Sequence, residues 1–166
     1  MDKKTLIISA PLIISTPISY AHASDTSISV YPPILQVKAG PGANVSAPVS
    51  IRNNGKEEVT LNILFRPFAS ESTRIGSVSF VPSNQISKTE SEFINKIKIL
   101  DEDKEIKSIN LYPNESKNLH VVFTAPVKPV DYYLSLIFIS KPQIKESTSK
   151  DTTTTISTGI ATNMLI

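Results

Sequence analysis

From Ile28 onward, apolar residues recur at every second position, the period of a strand with one buried face. Ile28 and Val30 open the pattern, Pro32-Pro33 interrupts it, and Leu35 and Val37 resume it before the turn Gly40-Pro41-Gly42. A first strand broken at prolines predicts a chain that crosses from one sheet of a sandwich to the other. Val45, Ala47, Val49 and Ile51 then alternate with Asn44, Ser46, Pro48, Ser50 and Arg52. Asn53-Asn54-Gly55 follows, and because Asn-Gly accepts positive φ it predicts a hairpin into Val59, Leu61, Ile63 and Phe65.

The later strands are less regular. Val78 and Phe80 follow Gly76, and Phe93, Ile97 and Ile99 read as one face of a strand with Lys96 and Lys98 on the other. Asp101-Glu102-Asp103-Lys104 predicts a charged turn before Ile106, Ile109 and Leu111, and Pro113-Asn114-Glu115-Ser116 another before Leu119, Val121 and Phe123. Tyr132, Leu134, Leu136 and Phe138 share one face of a strand whose other face carries Ile137 and Ile139, so this strand is expected to be central and covered on both sides. The Lys-, Ser- and Thr-rich residues 141–155 read as an exposed loop, and Ile156, Ile160, Met164 and Ile166 as one face of a last strand. No segment carries an apolar period of 3.6, so no helix is expected. About seven to nine short strands with turn signals between them predict an all-β, immunoglobulin-like Greek-key sandwich, with a closed barrel as the alternative.

Composition agrees with this: isoleucine, valine and threonine are abundant and alanine is sparse. The basic start Met1-Asp2-Lys3-Lys4, an uncharged stretch from Leu6 to Tyr20 and Ala21-His22-Ala23 predict a signal peptide of residues 1–23, cleaved after Ala23. Pro11 and Pro17 break that stretch, which is then too short for a span of about 20 apolar residues. Residues 24–166 are thus expected to form one exported domain with no membrane span, secreted or held in the cell envelope. The apolar alternation runs to Ile166 without a polar tail, which suggests a piece of a longer surface protein.

The chemistry of the side chains narrows function by exclusion. With no cysteine there is no thiolate metal site, cluster or cysteine nucleophile. A formal charge of +2, with its basic residues dispersed, argues against nucleic acid. His120 lies at an outward strand position without a neighbouring carboxylate, and Asp101, Glu102 and Asp103 lack the glycine and spacing of a calcium loop. No Gly-x-Ser-x-Gly elbow or phosphate-cradling loop occurs. The expectation is a protein that is not an enzyme and needs no metal or other cofactor. Two binding regions remain: Arg66, Phe68 and Arg74 as loop recognition residues, and Ile156, Ile160, Met164 and Ile166 as an edge strand for a partner. Tyr132-Tyr133 reads as a core ring with a corner hydrogen bond rather than as a stacking platform.

Gly40-Pro41-Gly42 followed by the run from Val49 to Leu61, then Gly76 to Phe80, Leu111 to Lys117, Ala125-Pro126 and the last strand resemble the N-terminal domain of WxL-interacting cell-surface proteins. That resemblance implies an exported immunoglobulin-like module that binds peptidoglycan or another surface protein. Val127-Lys128-Pro129-Val130-Asp131 stands where the family has a glycine-rich stretch. The split first strand and alternating last strand are also similar to the first domain of PapD-like periplasmic pilus chaperones. That resemblance implies strand donation to a pilus subunit, with a basic pair holding the subunit's C-terminal carboxylate; Lys38 and Arg52 are basic residues on the early strands.

Overall fold

The computed structural model describes residues 27–69, 78–128, 131–141, 143–146 and 153–166. They form an all-β immunoglobulin-like sandwich of two five-stranded sheets. The first sheet has the order β1 (Ile28–Tyr31), β3 (Asn44–Asn53), β8 (Ser116–Thr124), β5 (Lys98–Asp101), β6 (Lys104–Ile106). The second has the order β2 (Ile34–Gln36), β12 (Gly159–Leu165), β9 (Tyr133–Ser140), β4 (Val59–Pro67), β7 (Ser108–Leu111). β1 and β2 are one run that changes sheets at the cis Tyr31–Pro32 peptide and Pro33, as the split pattern predicts. Prolines suit the crossover because they lack the N–H that either ladder would need. β6 and β7 make a second crossover at Lys107.

The Asn53-Asn54-Gly55 segment is not a hairpin turn. β3 pairs with β1 and β8, whereas β4 pairs with β9 and β7, so the turn arches from one sheet to the other. Asn53 is buried, and its side chain supplies what a hairpin ladder would have supplied: Nδ2 donates to the carbonyls of Glu57 at 2.7 Å and Leu111 at 3.1 Å, and Oδ1 accepts from Gly55 N at 2.9 Å. With these groups satisfied inside, β3 and β4 turn Val49, Ile51 and Leu61 toward each other across the core.

Helix is present among the described residues where none was expected: a short 3-10 turn at Ser83–Gln85 and the α-helix α1 (Lys88–Ile94). Its signal is a capping box, Ser87-Lys88-Thr89-Glu90, in which Ser87 Oγ accepts from Glu90 N at 3.2 Å. Phe93 is therefore a helix residue and not part of the strand with Ile99, although both are buried. It closes the end of the sandwich, 5.7 Å from the ring of Phe123 and 4.4 Å from that of Tyr132. Residues 143–146 and 153–155, expected as loop, and Ile156, expected in the last strand, form the antiparallel pair β10 (Gln143–Glu146) and β11 (Thr153–Ile156).

The core follows the alternation. Leu134, Leu136 and Phe138 of β9, Leu119 and Val121 of β8, and Met164 of β12 are fully buried. β9 is central, between β12 and β4, with Ile137 and Ile139 half-buried on its outer face.

Candidate functional site

The most distinctive region is the lateral side of the sandwich where the first strand changes sheets. Tyr132 and Ile166 exchange both backbone hydrogen bonds, 2.9 and 3.0 Å, which sets the even residues of β12 toward β9. The odd residues point away from β9: Asn163 N donates to Pro33 O at 3.1 Å, and Leu165 O accepts from Val37 N at 2.8 Å. β2 pairs only with Asn163 to Leu165, so on that side Gly159 and Ala161 have no ladder partner among the described residues, although β1 runs close alongside β12 without pairing to it. β12 is thus an interior strand at its C-terminal half and an edge at its N-terminal half.

The edge strand expected at residues 156–166 takes a different form. Met164 is buried beside Leu134 and Leu35 as core, Ile160 and Ile166 are half-buried against that core, and Ile156 belongs to β11. Thr162, buried between them, donates its hydroxyl to Pro32 O and ties β12 to the crossover. The groups open for pairing are those of Gly159 and Ala161, which a search for apolar residues passes over because pairing uses backbone, not side chains.

The two lateral sides differ in charge. Residues 27–37 and 157–166 contain no charged side chain. On the other side, β6 and the crossover present Lys104, Glu105 and Lys107, and Asn110 of β7 hydrogen-bonds Glu58 and Thr60. Charge on a short outer strand discourages pairing with other chains, so the side of β6 and β7 carries that protection, which residues 27–37 and 157–166 lack. Ile34 is 54% exposed and Tyr31 71% exposed on the uncharged side.

The loop residues expected to recognise a ligand are not grouped on a loop. Phe68 is buried, edge-on to Tyr133 at 5.9 Å, and bridges to Phe80. Arg66 lies within β4, exposed, with Nη1 donating to Ser83 Oγ at 3.3 Å, and Arg74 lies outside the described residues, as do Ala21 and Ala23. Lys38 and Arg52 are held apart: Arg52 lies across from Ser29 in β1, while Lys38 follows β2 at the opposite end. His120 is exposed between Pro48 and Leu100 with Ser46 Oγ 3.2 Å from Nδ1, and Asp101 is engaged by Lys117 at 3.1 Å. Among the described residues no group of three or more His, Cys, Asp or Glu converges, and no helix is long and apolar enough to cross a membrane.

No family model matches the chain, and no curated protein matches its sequence. Among solved structures, a chain of the complex of Salmonella enterica SafA pilin with the SafB chaperone aligns with a TM-score of 0.51 at 11% identity, over 84% of this chain and 53% of that one. The seventh PapD-like (ASH) domain of human CEP192 aligns with a TM-score of 0.50 at 9% identity, over 94% and 95%. A chain from a chaperone–tip adhesin complex of CFA/I fimbriae aligns with a TM-score of 0.49 at 14% identity, over 83% and 56%. The chain therefore spans 56% and 53% of the two fimbrial chains it matches. At these identities the likeness is one of fold, and it is to PapD-like domains rather than to WxL-interacting proteins.

Proposed function

We propose that the protein is an exported, non-enzymatic binding domain that takes a partner surface protein by strand addition at the open half of β12, in the manner of a pilus chaperone. The observation that carries this reading is the uncharged stretch at Gly159 and Ala161, exposed residues that carry no ladder bond on the β2 side beyond the start of β2, where β1 runs alongside without pairing. A strand laid beside them gains main-chain hydrogen bonds, and its alternate side chains meet Ile34 outside and the half-buried Ile160 and Val30 inside. Both PapD-like alignments, to domains of the same fold, support the reading. Peptidoglycan, the first partner the sequence suggested, is not the occupant this edge favours, since it has no strand to pair.

The test places a photo-crosslinking amino acid at Ile34 in the protein expressed in its own host, with a second at Asn110 on the charged side. An exported β-rich protein trapped from Ile34, not from Asn110, and lost in Ala161→Pro, is the expected result. Ala161→Pro removes an N–H that faces away from β9, so the ladder to β9 stays intact and thermal melting should confirm the fold. Capture that is equal from both positions, or that persists in Ala161→Pro, would overturn the proposal.

A further inference from the structure

The outer face of the β1–β3–β8 ladder, next to the uncharged side, holds a second feature. Tyr31 stands directly across from Ser50, and Arg52 is one alternate position further along β3 on the same face. Such diagonal neighbours are about 7 to 8 Å apart, within reach of an aromatic ring and a long side chain. Both are exposed, and among the described residues Arg52 makes no ion pair and no ring stacks on Tyr31. Around them, polar side chains are fixed by one another and keep spare donors. Ser50 Oγ donates to Asn118 Oδ1 at 2.7 Å, and the exposed Asn118 amide N–H groups have no partner among the described residues. Asn54 Nδ2 donates to Ser29 Oγ at 3.1 Å, which leaves the Ser29 hydroxyl hydrogen free to donate.

We infer that this face binds a hexuronate-containing saccharide, with Tyr31 as the plate for the pyranose ring and Arg52 as the partner of its carboxylate. One aromatic plate beside fixed amide and hydroxyl donors suits a molecule with an apolar C–H face and a rim of hydroxyls. An unpaired guanidinium fork matches a carboxylate with two parallel hydrogen bonds. A peptide laid across this face fits less well, because the patch offers no apolar pocket and the backbone groups between β1, β3 and β8 are used in their own ladders at this face; only the outer side of β1 and the stretch of β3 before Ser50 lack a paired strand.

The test is an amide NMR titration of the purified protein at 0.15 M salt, where exposed charge attraction is screened beyond about 8 Å. The probes are a galacturonate trimer and a mannuronate trimer, with maltotriose, acetate and an Asp-rich peptide as controls. Saturable shifts at Tyr31, Ser50, Arg52 and Asn118 with a uronate trimer are expected, at least ten times weaker with maltotriose and acetate. Tyr31→Ala and Arg52→Gln should each weaken binding at least ten-fold without changing the melting temperature, since both side chains are exposed. No saturable shift with either trimer, an equal response to acetate or to the acidic peptide, or unchanged affinity in Tyr31→Ala would overturn the inference.

Discussion

Asn53 and Leu111, far apart in the chain, meet inside the sandwich through a 3.1 Å hydrogen bond from Asn53 Nδ2 to the Leu111 carbonyl. That bond joins the end of a strand in one sheet to the end of a strand in the other, and with the bonds to Glu57 and Gly55 it holds the arch between β3 and β4. Asn53→Ala leaves two carbonyls and an N–H without partners in a buried place, each costing about 1 to 3 kcal/mol before relaxation. A loss of about 2 to 4 kcal/mol in urea unfolding is expected. A loss below about 0.5 kcal/mol would mean that water replaces the amide at no cost.

Thr162→Val keeps volume and shape while removing the hydroxyl that reaches Pro32 O. The expected cost is about 1 to 3 kcal/mol, because the carbonyl stays beside a buried position. Amide exchange should show the effect first in β1 and β2, whose crossover the bond secures. Uniform loss of protection in both sheets would argue against that local role.

Pro48 guards a second open stretch. Asn53 N donates to Glu115 O and Ala125 N to Ala43 O, so odd residues at this strand face β8, while Asn54 N reaches Ser27 O on the other side. β1 pairs only with Ser50 to Asn53, which leaves Pro48, an even position, facing an uncovered edge without an N–H. Pro48→Val supplies that N–H, and increased self-association at equal concentration is expected in sedimentation velocity. An unchanged monomer would remove the guarding role from Pro48.

Lys98 Nζ lies 2.8 Å from Glu105 Oε2, and this hydrogen bond, with the charge of Lys98 behind it, holds the Glu105 carboxyl below its ordinary value of 4.5. A depressed carboxylate favours the fold above its unfolded pKa, and that contribution disappears as pH falls through the folded value. Lys98→Gln should bring the Glu105 titration back toward 4.5 in NMR, and high salt should do the same in the parent protein. An unmoved Glu105 titration in Lys98→Gln would refute the assignment.

The interior of this protein was legible from its alternation. Val49 and Ile51, Leu119 and Val121, and Leu134, Leu136 and Phe138 are buried as the period of two requires, because a strand has only two faces and one of them must leave water. The proline-broken first strand also announced its change of sheet, since a residue without an N–H cannot hold a ladder position. α1 was readable in principle from Ser87 and Glu90, but its about two turns bury only Phe93, too few apolar positions to show a period.

What the alternation left open was pairing. Asn53-Asn54-Gly55 permits a tight turn, yet whether such a turn joins neighbours in one sheet or arches between two depends on Asn53 finding Leu111, a partner 58 residues away. The candidate site was hidden for the same reason: Gly159 and Ala161 carry no side-chain signal, and they lack a ladder partner on one side only because β2 begins at Ile34 and no strand precedes it in that sheet. Side-chain polarity is written residue by residue and so fixes which face is buried. Which strand lies beside which is settled by long-range hydrogen bonds, and those exist only once the two sheets have closed on their core.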